Sequence, residues 1–462
     1  MFLDLDLKNG DAIAAVDDTG NEISYGELTQ FTRDFYRSIG KRTLIFILSE
    51  NYIGSLAAYV ASMSNKVVPL IISCDMDFEA IQKLIIEYKP EYLWVPERLE
   101  AKFSYVKVFK SFNFVLLKTE LSPFDLHKDL SLLLSTSGST GSPKLVRHTY
   151  TNVSENAKNI AAFFELSPKD NAMAILPMHY TMGLSVVTSH LYSGATVLLS
   201  NANLTDRKFW TYIKDRNATS FTGVPFSFEL LDKLRFFRMD LPDLELLTQG
   251  GGKLSKELFI KFADFAKKTS KRFIATYGQT EGTARMAYLP YDKALEKSGS
   301  IGKAIPGGKL YLIDQNGLEI NEISTEGQLV YTGPNVTMGY ALNGNDLVKG
   351  DINRGVLKTG DIAIQDEDGY FYIVGRTSRF LKLYGVRISL DELQEMVSVK
   401  FKTDCVCAGN DQKMKVYITN EDINKAVSDY IIEQTKLFHK AFEVIAIDNI
   451  PRNSVGKIIY SI

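Results

Sequence analysis

Segments with the apolar spacing of helices alternate with short apolar runs along most of the chain, and this alternation constrains the fold more than any other feature. Helical spacing is present at residues 53–64, 77–88 and 151–164. Buried strands are predicted at residues 43–48, 92–95, 132–134, 172–176, 196–199, 220–223 and 273–276. Because elements that alternate in this way usually form helices layered on largely parallel sheets, we predict an α/β fold.

The texture of the sequence changes beyond about residue 296, where the apolar runs become shorter and the turns become rich in glycine, as at Gly307 and Gly308. This change predicts a β-rich subdomain at residues 297–376, within a large domain of residues 1–376. Residues 379–462 mix strand and helix patterns. They are predicted to form a small, mobile α+β lid at the C-terminal side.

The net charge and the cysteines indicate which binding partners and which cellular compartment are expected. The chain has 53 Lys and Arg residues against 55 Asp and Glu residues, a formal net charge of −2. This balance gives no support for binding to nucleic acid or to an anionic membrane surface. Three cysteines, Cys74, Cys405 and Cys407, fit a reducing compartment and are interpreted as structural thiols rather than zinc ligands. No secretory signal is predicted, so the expected location is the cytoplasm.

One hydrophobic stretch, residues 52–73, raises the question of a membrane span. Asn65 and Lys66 interrupt it, and each half is too short to cross a bilayer. We therefore predict a core helix followed by a buried strand at residues 67–72.

A loop with the sequence STSGSTGSPK, residues 135–144, follows the predicted strand at 132–134 and precedes a predicted helix. It combines six hydroxyl residues and two glycines with Lys144. Glycines let backbone N–H groups approach phosphate oxygens, hydroxyls add donors, and a lysine supplies a positive charge. The spacing differs from that of the P-loop of nucleoside triphosphatases. By itself the loop is either a phosphate-binding loop or a flexible connection.

Further motifs follow the loop in a fixed order. They are LPMHYTMG (176–183), TYGQTEG (276–282), GQLVYTGPNVTMGY (327–340), LKTGDIA (357–363), GRTSRFLKLYGVRISLDEL (375–393) and PRNSVGK (451–457). Together with the loop, this set resembles the acyl-adenylate-forming superfamily, which includes acyl- and aryl-CoA synthetases, adenylation domains of peptide synthetases and luciferase-type enzymes. The resemblance implies attack of a carboxylate on the α-phosphate of ATP, release of pyrophosphate, and transfer of the acyl group to a thiol.

The resemblance also implies roles for individual residues. Lys457 is the expected catalytic lysine between the substrate carboxylate and the α-phosphate, Thr280 the expected donor to that phosphate, and Glu281 the expected ligand of Mg²⁺. The other expected contacts with ATP are Thr136, Ser137, Gly138, Ser139, Thr140, Gly141, Lys144, Gly250, Gly251, Tyr277, Asp361 and Arg376. Among these, Asp361 is expected to accept both ribose hydroxyls, and Tyr277 to stack on adenine.

The motif at residues 176–185 carries information about the acid. It contains no acidic residue, whereas relatives that activate amino acids typically have an Asp in this region. An acyl or aryl acid is therefore favoured over an α-amino acid. His179 is either a structural histidine or a gate beside the acid, and the second interpretation is favoured. The pocket is predicted to include His179, Tyr180, Phe226, Thr248 and Gly252. Arg285 is interpreted as a surface arginine, with neutralisation of a second anionic group as the alternative.

The sequence indicates a thiol acceptor but does not decide which thiol it is. The resemblance implies that the lid rotates about a hinge near Ser378, and that Gly385 and Arg387 then lie beside the attacking thiol. Glu392 and Lys457 are closer in sequence than in most relatives, so the lid is short, and Leu145 replaces a common glycine. The acceptor is thus CoA or the phosphopantetheine of an acyl carrier protein. Two alternatives stay open: an adenylate-binding homologue without catalysis, and transfer to a non-thiol acceptor.

Overall fold

The structure is a computed structural model that describes residues 1–135, 144–383, 386–410, 412–435, 437–453, 456 and 458–460. For residues 378, 380, 382, 386 and 387 it describes the backbone only.

Ten α-helices form in the described residues. They are α1 (Tyr25–Ile39), α2 (Ile53–Ser64), α3 (Phe78–Tyr88), α4 (Tyr150–Phe164), α5 (Thr181–Ser193), α6 (Arg207–Asp215), α7 (Pro225–Lys233), α8 (Lys256–Lys268), α9 (Leu390–Phe401) and α10 (Asn424–Thr435). Short 3₁₀ helices lie at Phe2–Leu7, Glu97–Lys102, Phe236–Arg238, Thr280–Gly282, Tyr291–Lys293, Gly344–Val348, Thr377–Arg379, Glu421–Ile423 and His439–Ala441.

The strands are numbered in chain order. Up to residue 174 they are β1 (Ile13–Asp17), β2 (Glu22–Ser24), β3 (Leu44–Ser49), β4 (Val68–Ser73), β5 (Tyr92–Pro96), β6 (Val106–Ser111), β7 (Phe114–Lys118), β8 (Leu130–Ser135), β9 (Leu145–Thr149) and β10 (Asn171–Ala174). Those from 196 to 341 are β11 (Thr196–Leu199), β12 (Ser220–Gly223), β13 (Leu246–Gln249), β14 (Arg272–Tyr277), β15 (Ala287–Leu289), β16 (Lys303–Ala304), β17 (Lys309–Ile313), β18 (Glu319–Ile320), β19 (Gly327–Thr332) and β20 (Tyr340–Ala341). The last are β21 (Val356–Gln365), β22 (Phe371–Arg376), β23 (Phe380–Leu383), β24 (Val386–Ser389), β25 (Cys405–Asn410), β26 (Lys413–Ile418) and β27 (Phe442–Ala446).

The chain divides into two compact units. The first contains residues 1–298, 304–309 and 332–357, and the second contains residues 299–303, 310–331 and 358–462. The predicted boundary between residues 376 and 379 stays a prediction.

Two large sheets organise the first unit. One has nine strands in the order β16-β15-β14-β13-β12-β10-β11-β1-β2, and its centre, from β14 to β1, is parallel. The other has eight strands in the order β20-β9-β8-β4-β3-β5-β7-β6, with parallel pairing from β8 to β5. All six residues of β3 are buried, as expected for a parallel strand that is covered on both faces.

The core of the first unit lies between these sheets. Its buried side chains come from α1, α2, α4 and α5 and from strands of both sheets, such as Ile45 of β3 and Ala172 of β10. A second apolar cluster covers the opposite face of the eight-stranded sheet and includes Ile81 and Leu84 of α3. The helices therefore form layers on the sheets, as the alternating pattern predicted.

Local sequence signals explain where several helices begin and end. Ser24 caps α1 in a capping box with Glu27, and Gly40 ends that helix in the left-handed conformation. Thr149 forms a similar box with Asn152 at the start of α4. The stretch at residues 52–73 forms α2 and β4, so the predicted core helix and buried strand are confirmed. No helix in the described ranges is both long and apolar enough to cross a membrane.

The second unit contains three smaller sheets. The order β18-β17-β19-β21-β22 makes one, β23 and β24 form an antiparallel pair, and β25-β26-β27 make the third. Apolar side chains of α9, α10 and β25–β27, such as Val397 and Val416, pack together. Cys405 and Cys407 lie in this part as buried free thiols, and Cys74 of the first unit is also buried and free.

Candidate active site

Apart from Lys144, the described site residues predicted in the first unit lie at one edge of the nine-stranded sheet. His179 and Tyr180 follow the carboxyl end of β10, and Phe226 follows that of β12. Gly250 to Gly252 follow β13, and Thr280 and Glu281 follow β14. These strands are parallel and adjacent in the order β14-β13-β12-β10. Ligands of such sheets bind at this edge because the connections after neighbouring strands converge there.

Direct contacts connect these segments. The backbone N–H of Gly250 donates to the Gly223 carbonyl oxygen at 3.2 Å, and Thr276 Oγ1 donates to the Gln249 carbonyl oxygen at 3.0 Å. A Cβ at Gly250 would lie 2.6 Å from Thr276 Oγ1 and 3.0 Å from Met182 Cε. A larger residue would have to displace the side chain of Thr276, so the acid-pocket motif and the glycine segment approach each other closely.

Thr280 and Glu281 lie in the 3₁₀ turn Thr280–Gly282. Thr181 Oγ1 donates to Thr280 Oγ1 at 2.9 Å, which holds the hydroxyl of Thr280 against the start of α5. The backbone carbonyl of Glu281 accepts a hydrogen bond from Thr337 N–H at 2.9 Å. The turn is therefore held from both sides, by α5 and by the segment before β20.

Tyr340 is a site residue to which the sequence analysis gave no role. Its hydroxyl donates to Glu281 Oε1 at 2.5 Å, and Lys144 Nζ lies 5.7 Å from the centre of its ring. Partial burial and the nearby Glu281 carboxylate both raise the pKa of Tyr340, which is 40% exposed, so its hydroxyl stays protonated and able to donate. The signal for it was the glycine–tyrosine pair that ends the motif at residues 327–340.

The donor set around Glu281 can be tested for its fit to Mg²⁺. The described part of the chain contains no group of three or more His, Cys, Asp and Glu residues that could hold a metal. Mg²⁺ is usually bound by one or two carboxylates together with substrate phosphates, and keeps several waters. A single carboxylate, hydrogen-bonded to the tyrosine whose ring lies near Lys144, therefore fits a magnesium ion that ATP brings with it, rather than a metal held by the protein alone.

The predicted acid pocket has an apolar and neutral character. Burial lowers the pKa of His179 to about 4, so this imidazole is uncharged near pH 7. Its ring lies 4.4 Å from the ring of Tyr180. Phe226 is 42% exposed at the start of α7. Thr248 is buried in β13, where its hydroxyl pairs with that of Thr222 at 2.8 Å.

Arg285 corrects one interpretation. It is 1% exposed, so the surface position favoured from the sequence is wrong. Its Nη1 donates to Ser185 Oγ, and its guanidinium lies 5.1 Å from the ring of Phe164. Burial lowers the pKa of Arg285 to about 9.

Asp361 and Arg376 lie in the second unit and face each other across β21 and β22. Arg376 Nε donates to Asp361 Oδ1 at 3.0 Å. The side chain of Asp361 is 3% exposed, whereas that of Arg376 is 56% exposed. The sheet register thus brings together two predicted nucleotide contacts that are 15 positions apart.

Several predicted site residues lie outside the described residues. These are Thr136, Ser137, Gly138, Ser139, Thr140, Gly141, Gly385 and Lys457. The side chains of Ser378 and Arg387 also lie outside them; the backbone of Ser378 is in the 3₁₀ turn Thr377–Arg379, and that of Arg387 is in β24. Lys144, the last residue of the loop, is described and exposed.

The chain is similar to known proteins over most of its length. Residues 6–341 match the family described as AMP-binding enzyme. The chain belongs to this family. The matched range includes the loop sequence at 135–144, the segment with Glu281, and Tyr340.

Two curated relatives of this AMP-binding enzyme are CoA ligases. An oxalate–CoA ligase from Arabidopsis thaliana is 29% identical over 350 residues, which make up 71% of this chain and 66% of that protein. A long-chain-fatty-acid–CoA ligase from Yersinia pestis is 27% identical over 403 residues, or 82% of this chain and 69% of that protein. The chain thus spans about two thirds of the length of the curated relatives it matches.

Solved structures share the fold over almost the whole chain. The o-succinylbenzoate CoA synthetase of Bacillus subtilis, in complex with its acyl-adenylate intermediate, matches with a TM-score of 0.78 at 19% identity. The match covers 99% of this chain and 96% of that chain. A second structure of that enzyme, with ATP and a magnesium ion, gives a TM-score of 0.78 at 18% identity over 99% of this chain and 98% of that one. The likeness confirms the predicted α/β fold with a small α+β domain at the C-terminal side.

Proposed function

We propose that this AMP-binding enzyme activates a carboxylic acid with ATP, forms an acyl-adenylate with release of pyrophosphate, and then transfers the acyl group to a thiol. The observation that carries the proposal is the convergence of the His179, Gly250 and Glu281 segments at the carboxyl edge of adjacent parallel strands. That edge is where α/β sheets bind nucleotides and their co-substrates. The family membership and the two CoA ligase relatives support the same reaction.

The charges of the first unit suit a reaction between two anions. Attack of a carboxylate on the α-phosphate requires positive charge near the phosphates and an in-line arrangement of the reacting atoms. Lys144 supplies such a charge at the end of the loop, and Thr280 offers a hydroxyl donor whose position is fixed by Thr181. When Mg²⁺ is bound, it neutralises phosphate charge, and the carboxylate of Glu281 is the residue that would hold it.

Asp361 supplies the contact that we assign to the ribose. A buried carboxylate is well suited to accept hydrogen bonds from two neighbouring hydroxyls, and Arg376 orients it from the adjacent strand. Lys457, in the second unit, is assigned to the charge that develops between the carboxylate and the α-phosphate. Its pattern, Asn-Ser-Val-Gly-Lys, supports this role.

The acid is proposed to be an acyl or aryl carboxylic acid. Residues 176–185 contain no Asp or Glu, and His179 is uncharged near neutral pH because partial burial lowers its pKa. An α-ammonium group would therefore lack a carboxylate partner in this segment, and leaving such a charge unpaired in a pocket is costly. The thiol is proposed to be CoA, as in the relatives' names, with a carrier-protein phosphopantetheine as the alternative acceptor.

Pyrophosphate exchange into ATP over a panel of acyl, aryl and amino acids tests the first half-reaction, and parallel assays with CoA and with carrier proteins identify the acceptor. We expect exchange with one class of acyl or aryl acid and a thioester with one of the two thiols. A folded protein that binds ATP but gives neither exchange nor thioester would contradict the proposal. Exchange without a thioester would instead indicate a non-thiol acceptor.

A substitution at Lys457 tests the residue assigned to the transition state. We expect Lys457→Ala to lower the exchange rate roughly 10²- to 10³-fold, because one charged donor to the reacting oxygens is lost. Binding of ATP, measured by calorimetry, should change much less. Lys440→Ala removes an exposed lysine of the same unit and serves as the control. Equal exchange rates in the two variants would remove Lys457 from the mechanism.

A further inference from the structure

Arg147 is a buried cation in the middle of β9. The side chain is 0% exposed, and in the described part of the chain it forms no ion pair with a carboxylate. Its partners are four backbone carbonyl oxygens: Nε donates to Tyr340 at 3.1 Å, Nη2 donates to Met338 at 3.0 Å and to Gly350 at 3.2 Å, and Nη1 donates to Lys349. Burial lowers the pKa of Arg147, since the charged form loses its hydration.

These carbonyls belong to two short segments, residues 338–340 and 349–350. The backbone of Arg147 also joins the first segment, because its N–H donates to the Gly339 oxygen at 3.0 Å and its carbonyl accepts from Met338 N–H at 2.9 Å. A buried charge is costly unless hydrogen bonds satisfy it. Here the guanidinium satisfies that need by fixing both ends of one loop, and Tyr340 lies in the first of the two fixed segments.

Tyr340 in turn contacts two residues assigned to ATP and magnesium. Its hydroxyl donates to Glu281 Oε1 at 2.5 Å, and its ring lies beside Lys144. The backbone N–H of Thr337, three residues before Tyr340, donates to the backbone carbonyl oxygen of Glu281. The segment that Arg147 fixes therefore holds Glu281 at its main chain and at one carboxylate oxygen, and leaves Oε2 without a hydrogen-bond partner in the described ranges.

We propose that Tyr340 is a positioning residue for the metal-binding carboxylate of Glu281, and that Arg147 positions Tyr340. This inference rests on the proposed function, because it assigns magnesium to Glu281. With Oε1 occupied by the tyrosine hydroxyl, the carboxylate is oriented before metal arrives and presents Oε2 to it. Partners that orient a metal ligand typically change metal affinity by about 10- to 100-fold when they are removed.

Tyr340→Phe removes only the hydroxyl and keeps the ring beside Lys144. Mn²⁺, a spectroscopic substitute for Mg²⁺, is titrated into the protein with saturating ATP and without acid, and free Mn²⁺ is measured by electron paramagnetic resonance. We expect the Kd of Mn²⁺ to rise about 10- to 100-fold in Tyr340→Phe, while ATP affinity in the presence of a chelator and the unfolding temperature stay near those of the unmodified chain.

The positioning role of Arg147 is tested by Arg147→Lys. Lysine keeps the charge but cannot bind four carbonyls in the same plane. We expect a smaller rise in the Kd of Mn²⁺, in the same direction, and little further change when this substitution is combined with Tyr340→Phe, because both act through one hydrogen bond. Independent, additive effects would show that Arg147 does not act through Tyr340.

Tyr291→Phe is the matched control, since Tyr291 is 47% exposed in the same unit. A Kd of Mn²⁺ in Tyr340→Phe equal to that of this control would overturn the inference while leaving the proposed function intact. An unmodified chain that binds no Mn²⁺ in the presence of ATP would contradict the assignment of metal to Glu281, and with it both proposals.

Discussion

Asp361 shows how a single side chain acquires its chemistry from its surroundings. It lies in the middle of β21, its carboxylate is buried, and Arg376 reaches it from the neighbouring strand. The backbone N–H of Asp361 donates to Thr359 Oγ1 at 3.1 Å, which also fixes the main chain at this point. A carboxylate held in this way is pre-organised to accept hydrogen bonds and needs little reordering on binding.

The assignment of Asp361 to the ribose predicts a change in nucleotide selectivity. We expect Asp361→Asn to weaken ATP binding by roughly 10-fold or more, because a charge-assisted hydrogen bond is worth about 1.5–3 kcal/mol. The preference for ATP over its 2′,3′-dideoxy analogue, measured by the two Kd values, should shrink in the variant. If the variant keeps the full preference, Asp361 does not contact the ribose.

At the scale of secondary-structure elements, the connections that leave β10, β12, β13 and β14 decide the site. Each strand is separated from the next helix by at most six residues, and the connection after β14 contains the closest approach to a glycine. A Cβ at Gly278 would lie 1.6 Å from the carbonyl oxygen of Ala284. The backbone before Thr280 and Glu281 therefore packs directly against the backbone that follows them. The geometry of these two residues depends on that close approach.

Although Gly278→Ala adds only one methyl group, it should strongly disturb the turn that contains Thr280 and Glu281. The added methyl group must displace backbone, and overpacking of this kind typically costs about 1–3 kcal/mol. We expect a lower free energy of unfolding, measured in urea, and a large loss of pyrophosphate exchange. Gly10→Ala, whose new Cβ would have its nearest neighbour at 3.8 Å, is the control and should change little. A fully active Gly278→Ala protein would show that the turn tolerates displacement.

At the scale of the whole molecule, the interior of the first unit contains polar side chains that are charged only at a cost. His148 and His190 are buried, and burial lowers the pKa of each to about 4, as it does for His179. Both ring nitrogens of His148 are buried, and no charged side chain in the described ranges is among the causes of its lowered pKa. In the unfolded chain these histidines take up protons near pH 6.5, whereas in the folded chain they stay neutral at that pH.

This difference fixes the sign of the acid response. Because the folded pKa is lower than the unfolded one, stability is fully present above about pH 6.5 and is lost as the pH falls toward 4. Each such histidine lowers the free energy of unfolding by about 2 kcal/mol between pH 7 and pH 5. Between pH 7 and pH 5, the free energy of unfolding of His148→Leu should therefore fall by about 2 kcal/mol less than that of the unmodified chain. Urea unfolding at both pH values measures this difference. An identical pH response in the two proteins would mean that His148 is accessible to protons in the folded state.

Much of the fold was predictable because its signals are local. The apolar spacing at residues 53–64 gave α2 with the same bounds, and the strands at residues 196–199 and 220–223 also have their predicted bounds. The predicted helix at residues 151–164 begins one residue earlier, at Tyr150, because Thr149 caps it. The order of the motifs identified the family, since each motif is a short segment whose residues act together.

The partners of individual residues were not predictable in the same way. Tyr340 and Glu281 are 59 positions apart, and Arg147 bonds to carbonyls about 200 positions away. Arg285 was expected at the surface, yet it lies between α4 and α5 beside Phe164. Sequence periodicity describes which face of an element is apolar, but it does not say which distant element covers that face.

The sequence by itself therefore determined the α/β character, the positions of elements such as α2, β11 and β12, and the family to which the motifs belong, because these depend on neighbours along the chain. Tertiary structure alone decided that β10, β12, β13 and β14 end side by side, that Tyr340 holds Glu281, and that Arg147 and Arg285 are buried. Those features depend on how sheets and helices pack, and packing is set by contacts between residues far apart in sequence.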